Sequence, residues 1–350
     1  CEDISEASIG KNVQTLRIIN RLSNKEKEMR SFIKTTVVAA ASAFACLAPL
    51  TAQADEVNVA FFLEWATPNL IAKTTGAYAD SMGVDVNWVD FTTGTAMTEA
   101  MLAGDIDISY SQGLAPFVTA IQQGAPLKMI GIAVVYEAND CFVRNGLGID
   151  GSNASELEGK TVAVPLNTMA DFAFRSYMTH YGVDISTMNI VDQAPPDGAK
   201  SLADGAVDMA CLFGGIASAA GAEVGTPIMS SAEKVDAGIG SFDVISVTEK
   251  FATENPELVQ AFMEATAEAN ESFKGTNEEY AMLAEASGMN VDATKTQVTG
   301  FIIPTVADQI NNFFNEGGLA ASASASLGLV FSDSSDGSSI EKTLDGSFLD

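Results

Sequence analysis

Apolar and polar positions follow two rhythms along the chain. Short β-rich apolar runs ending at polar residues read as buried strands: Val57–Phe62, Val84–Val89, Ile106–Tyr110 and Leu127–Val135. Between them lie stretches with helical spacing: Thr67–Met82, Thr92–Ala103 and Leu114–Gln123. Pro68 stands in the first turn of the first of these, where a missing N–H leaves no bond unmade. Gly104 and Gly124 stop the other two. Strand and helix alternate throughout, which predicts a parallel sheet with helices on both faces.

The scheme then begins again. A strand at Cys141–Val143 and a loop with a short helix at Asp150–Gly159 lead into it. Strands are expected at Thr161–Pro165, Met188–Val191 and Val207–Leu212, and helices at Ala170–Tyr181, Pro196–Asp204 and Ile216–Glu223. After a strand at Val244–Val247 the pattern is helical: Lys250–Phe273, Glu278–Ser287, Ala293–Phe301 and Thr305–Asn315. An Ala/Ser stretch at Ala320–Ser326 and a Ser/Asp/Gly-rich segment at Ser332–Ser339, read as a loose loop, follow.

The recurrence reaches individual residues. Leu102–Ile108 returns as Ala203–Met209 with Gly-x-x-Asp kept. Val57–Phe62 resembles Thr161–Leu166, Met82–Asp85 resembles Tyr181–Asp184, and Val89-Asp90 matches Val191-Asp192. The shared order suits two similarly built lobes; the period is too long for a solenoid. Gly104 and Gly205 read as helix stops, and Asp107 and Asp208 as structural. Two lobes imply a cleft.

Residues 29–54 have the layout of a secretory signal peptide: Arg30 and Lys34, an apolar run from Val37 to Leu50, then Ala52-Gln53-Ala54 with cleavage after Ala54. Residues 1–28 then read as an over-extended upstream frame. A buried helix over 37–50, or a lipid anchor at Cys46, explains the flanks less well. No other stretch is long and apolar enough to span a bilayer. The remaining spans divide as 55–140 for the first part of lobe I, 141–242 for lobe II, and 243–350 for the return to lobe I and the C-terminal helices.

Net charge is −28. That argues against nucleic acid, whose phosphates need basic surface, and against an anionic membrane. The acids are scattered, as on a solvated, soluble surface. Past residue 54 two cysteines remain, Cys141 and Cys211: a candidate disulfide in an exported protein, or two buried thiols. His180 is the one histidine, so no metal cluster of ligand spacing is expected.

Several phrases carry a resemblance: Val57-Asn58-Val59, Gly83–Trp88, Ala103–Ile108, Val162–Pro165, Pro195-Pro196 and Phe251–Val259. Over roughly Val57 to Phe273 the chain resembles the periplasmic substrate-binding proteins of ABC importers that take up taurine, aliphatic sulfonates and nitrate, most of all the taurine-binding proteins. The resemblance implies an α/β fold of two doubly wound lobes with a hinge and an interlobe cleft, of the periplasmic binding protein type II kind. Cys141–Arg144 and Asp243–Val247 match its two antiparallel hinge strands. It also implies a monomeric periplasmic protein, no enzyme and without cofactor, that hands its ligand to a permease with its ATPase.

Ligands of open α/β sheets bind beyond the carboxyl ends of the strands. Those ends are Phe62–Trp65, Tyr110–Gly113, Leu166–Met169 and Leu212–Gly215. Helix starts bind anions through free N–H groups, so the turns at Ser111, Gln112 and Gly113 and at Thr168, Met169 and Ala170 could hold a sulfonate without arginine. Ser111 and Thr168 read equally well as helix N-caps. The resemblance assigns Asp243 as the acid facing an ammonium; Glu64 is a second candidate, or a solvated loop carboxylate. Phe62 and Phe213 align with aromatic positions of the family and could wall the pocket, or belong to the core.

The first loop, Leu63–Thr67, departs from the taurine-type pattern. Trp65 with Phe62, Phe213 and two carboxylates could equally cage a methylated ammonium or sulfonium, and nitrate stays open as a ligand. An enzyme of the pyrimidine-precursor synthase type shares the scaffold; His180 beside Tyr181 gives it little catalytic equipment.

Overall fold

The computed structural model describes residues 54–331 and 340–349. The expected upstream segment, nearly all of the signal peptide and the Ser332–Ser339 loop lie outside the described residues.

The strands are β1 (Glu56–Phe62), β2 (Asp85–Phe91), β3 (Ile108–Gly113), β4 (Leu127–Glu137), β5 (Asp140–Arg144), β6 (Thr161–Val164), β7 (Asn189–Asp192), β8 (Met209–Leu212), β9 (Gly225–Pro227) and β10 (Gly240–Thr248). They form two five-stranded sheets ordered β2-β1-β3-β10-β4 and β7-β6-β8-β5-β9. In each, the first strand of a βαβ run lies between the next two, all parallel. Each sheet also takes one strand antiparallel to its neighbours: β10 beside β3 and β4, and β5 beside β8 and β9. The fold is the expected two-lobed α/β architecture.

The helices are α1 (Asn69–Thr75), α2 (Ala77–Met82), α3 (Gly94–Ala103), α4 (Leu114–Gln122), α5 (Met169–Tyr181), α6 (Pro195–Ala203), α7 (Gly215–Val224), α8 (Ser231–Ala237), α9 (Glu249–Glu254), α10 (Pro256–Ser272), α11 (Asn277–Ser287), α12 (Val291–Thr299) and α13 (Leu319–Phe331). On one face of the first sheet, Met97, Phe117 and Leu327 of α3, α4 and α13 share a core with Val244 and Ile132. On the other, Tyr78, Val259 and Phe262 of α2 and α10 pack on Val57, Ile108 and Val247. The second sheet is covered by α5 on one side and by α6 and α7 on the other. The Ala/Ser stretch is part of α13.

Local chemistry breaks three of the expected helices. Thr67–Met82 divides at Gly76, which adopts φ 78° and sends its N–H back to Ala72 and Lys73. Lys250–Phe273 divides at Asn255, because Pro256 cannot donate the bond that would continue the helix. Thr305–Asn315 shortens to Val306–Asp308 and a π-helical turn at Gln309–Phe313. Two elements, β9 and α8, carry no apolar run that would announce them.

The repeated phrase has a common structural purpose. The Asp107 carboxylate accepts from the Asn58 N–H at 2.9 Å, and the Asp107 N–H donates to the Asn58 carbonyl at 2.9 Å. Asp208 does the same to Thr161, at 3.2 and 2.8 Å. Each aspartate thus ties the entry of a third strand to the foot of the central one.

The chain leaves the first sheet after Glu137 and returns to it at Gly240. The two strands matched to hinges, Cys141–Arg144 and Asp243–Val247, are each built into one sheet; the crossings lie at 138–139 and just ahead of Gly240. Lys234 of α8 pins the outward crossing. Its buried ammonium donates to Glu137 at 2.9 Å, to the Ala138 carbonyl at 2.9 Å and to Asp140 at 2.6 Å. Cys141 and Cys211 face each other across β5 and β8 and are joined by a disulfide.

Candidate functional site

The carboxyl ends of β1, β2 and β3 face those of β6, β7 and β8 across a cavity of about 150 Å³. A water-sized group needs about 10–15 Å³ on the same scale, so the space suits a small solute. The backbone is strained here. Among the described residues, the non-glycine positions with positive φ are Glu64 (59°), Ser111 (66°) and Asn167 (58°), just after or within the ends of β1, β3 and β6. Such strain persists where surrounding contacts over-determine it. The Glu64 N–H donates to the Ser287 carbonyl, Ser111 is held through its side chain, and the Asn167 N–H donates to Asp171, itself paired with Arg175.

Asp243 sits at the centre. β10 sets it opposite Gly113, and its side chain is buried at the cavity wall. Tyr136 donates to one carboxylate oxygen at 2.8 Å and Ser111 to the other at 2.9 Å. The Trp65 indole N–H in turn donates to Ser111 Oγ at 2.9 Å. Burial pushes the Asp243 carboxyl up to about 7, against the downward pull of its two donors. Burial and the neighbouring Asp243 hold the Tyr136 hydroxyl well above its usual range, so it remains a donor. No Lys or Arg is among the cavity-lining residues, whereas Glu64, Asp90 and Asp243 are.

Of the nine residues expected at the site, Phe62, Glu64, Trp65, Thr168, Met169, Phe213 and Asp243 line the cavity. Ser111 lies behind it, as the link between Trp65 and Asp243. Gln112 is a correction. Its amide donates to Thr98 and accepts from Ser246, tying α3 to β10 inside the lobe. Every residue of β3 is buried, so burial pattern offered no cue to which side chains point at the cleft.

Two further expectations shift. The Glu64 carboxylate accepts from the Ile216 N–H at 2.9 Å, at the start of α7 in the opposite lobe, so one of its oxygens is already engaged across the cleft. The start of α4, expected to receive an anion, is covered: the Ala115 N–H points at Met169 Sδ, 3.1 Å away. Thr168 caps α5, accepting from Ala170 and donating to the Pro165 carbonyl. Phe62 and Phe213 meet across the cleft with ring centroids 6.2 Å apart, and Trp65 packs on Tyr136 and Phe301.

The chain has known relatives. A family model described as NMT1/THI5 like matches residues 65–279, more than half of the chain. The chain belongs to that family. The taurine-binding periplasmic protein of Escherichia coli K12 is 26% identical over 231 residues, 65% of this chain and 70% of that protein. A putative aliphatic sulfonates-binding protein of Bacillus subtilis is 26% identical over 56% of this chain and 59% of its own length. The alkanesulfonate-binding protein SsuA of Xanthomonas axonopodis pv. citri, solved with MOPS bound, superposes with a TM-score of 0.64 at 16% identity, covering 84% of this chain and 99% of that one. That last likeness is one of fold. The two curated relatives are named for the binding of taurine and of aliphatic sulfonates.

Among the lining positions outside the expected set, five carry polar or aromatic groups into the cavity from the first lobe and the crossing. Asp90, Phe91 and Thr92 enter because β2 runs two residues beyond its apolar run, to Phe91. Tyr136 is the last residue but one of β4, and reading that strand only to Val135 leaves it out. Asn139, in the crossing, lines the cavity with a buried Oδ1 that has no hydrogen-bond partner. His180 stands in the last turn of α5 against Tyr181 and is not part of the lining.

Proposed function

We propose that the protein captures taurine, or a closely related small aminosulfonate, between its lobes in the periplasm and delivers it to an ABC permease with its ATPase. One observation carries the reading: a buried carboxylate, Asp243, with two neutral donors and no cation, in a cavity lined by acids and aromatics and by no base. A ligand ammonium supplies the missing charge, and Asn139 Oδ1 offers a further acceptor. The sulfonate would turn to the opposite lobe, to the start of α5, where the Thr168 side chain takes only the Ala170 N–H of the first turn. Relatives named for taurine and sulfonates support the same ligand class.

The aromatic lining supports a second reading, a methylated ammonium or sulfonium held over Phe62, Trp65, Phe91, Tyr136 and Phe213. Thermal shift separates the two. At a hundred times its dissociation constant a ligand stabilises by about 2.7 kcal/mol. Taurine is expected to raise the melting temperature, and choline, glycine betaine and nitrate to leave it unchanged. A shift with the quaternary compounds alone removes taurine.

A further inference from the structure

We infer that Glu64 is a positioning residue, a latch that fastens the second lobe to the first and thereby sets how much of the protein is closed. The latch reads off three contacts of one residue. Its carboxylate accepts from the Ile216 N–H at 2.9 Å, its carbonyl accepts from the Gly215 N–H at 3.3 Å, and the same carbonyl accepts from Gln297 Nε2 at 2.8 Å. The first two reach α7 in the opposite lobe; the third ties the loop to α12 in its own. Gln297 also accepts from the Ala66 N–H at 2.8 Å, so the loop is fixed from both sides.

The receiving surface on α7 is shaped for this. A Cβ added at Gly215 would lie 2.3 Å from Met289 Cε and 3.2 Å from its sulfur. One added at Gly214, which adopts φ 84°, would lie 3.1 Å from Glu64 Oε2. The positive φ of Gly214 favours glycine, and a Cβ at Gly215 would have to displace the Met289 tip, so the start of α7 lies close against Glu64 and Met289. A carboxylate at a helix start gains from the helix dipole as well as the hydrogen bond. Holding Glu64 at φ 59° opposes that gain, and the cross-lobe contacts exist only while the lobes are together.

Such a latch acts through population. Apparent affinity is the intrinsic affinity scaled by the closed fraction, whichever ligand fills the cleft. Glu64→Ala should therefore weaken every ligand by one common factor, up to roughly thirtyfold, the range for a carboxylate on a helix N-terminus. The inference rests on the cleft being the binding site but not on which solute enters it.

The test has a ligand-free arm and a ligand arm. Small-angle scattering and the distance between spin labels on the two lobes are measured without ligand for the wild type, Glu64→Ala, Glu64→Gln and Gly215→Ala. Glu64→Ala and Gly215→Ala are expected to widen the protein; Glu64→Gln, whose amide oxygen still accepts from Ile216, is expected to stay near the wild type. Unchanged widths in both opening variants, with the native circular dichroism kept, overturn the latch. In the ligand arm, calorimetry with taurine and with ethanesulfonate should show the same fold-loss in Glu64→Ala. A loss confined to taurine would make Glu64 a ligand contact instead. If neither compound binds the wild type, the proposed ligand fails while the scattering comparison still decides the latch.

Discussion

The two lobes share a frame and differ in what they turn toward the cleft. Strand order, parallel core and the aspartate tie recur in both. Yet the three acids of the lining, Glu64, Asp90 and Asp243, all come from the first lobe, while the second contributes helix starts, Pro195, Pro196 and Phe213. A cleft assembled this way is electrically lopsided. Such a cleft would orient the proposed aminosulfonate as well as hold it. Duplicated scaffold residues should tolerate change alike in both lobes, whereas the unduplicated ones should alter recognition.

The largest break in that comparison is expected at Asp243. Asp243→Ala removes the cation's buried partner, and such truncations cost about 2–5 kcal/mol. Calorimetry should show taurine affinity falling by that amount and ethanesulfonate affinity nearly unchanged; equal losses would deny Asp243 its role. The same residue makes a prediction in pH. Its carboxyl is raised from 3.8 to about 7 in the folded protein, so the stability it lends is full below pH 4 and is lost as pH rises toward 7. Asp243→Asn, which stays neutral, should therefore raise the melting temperature of the ligand-free protein at pH 8 relative to wild type, and much less at pH 4. The shift corresponds to about 4 kcal/mol. Taurine affinity of the wild type should fall about tenfold per unit below pH 7 and level off above it.

Smaller effects should stay within one lobe. Replacing Cys141 and Cys211 by alanine opens a 70-residue loop in the second lobe and should destabilise it by about 2–4 kcal/mol in urea, with no counterpart in the first. The finest contrast is Asp107→Ala against Asp208→Ala. Each orphans one strand N–H and should cost about 1–3 kcal/mol. Asp208 should lie higher in that range because it also pairs with Arg144 at 3.1 Å. Affinity should change in neither; a change in one alone would assign it more than scaffolding.

Much of this was legible in the residues. Buried parallel strands are near-continuous apolar runs, so most strands are found within about two residues of their positions, and the loops after them place Phe62, Trp65, Thr168 and Phe213 at the cleft. The same continuity hid the rest. In a strand buried on both faces no alternation separates Gln112, which braces α3, from Ser111, which holds Asp243. Glu64 reads as a ligand acid or a loop carboxylate, and not as a cross-lobe contact, because its partner, the Ile216 N–H, is 152 residues away. Tyr136, Asn139 and Lys234 lie beside, in and against the crossing, whose geometry depends on how two finished lobes meet. No local pattern encodes that.

The sheet orders also set a schedule. All five strands of the second sheet come from one uninterrupted run, residues 140–227. The first sheet waits for β10, and its last strand, β4, has its outer edge bridged by Ile302 and Leu344. An unpaired edge invites other chains, and units that finish early fold as they emerge. In a chain emerging N-terminus first, the inserted lobe can close and join its cysteines while β4 still lies bare. The lobe begun first is completed last.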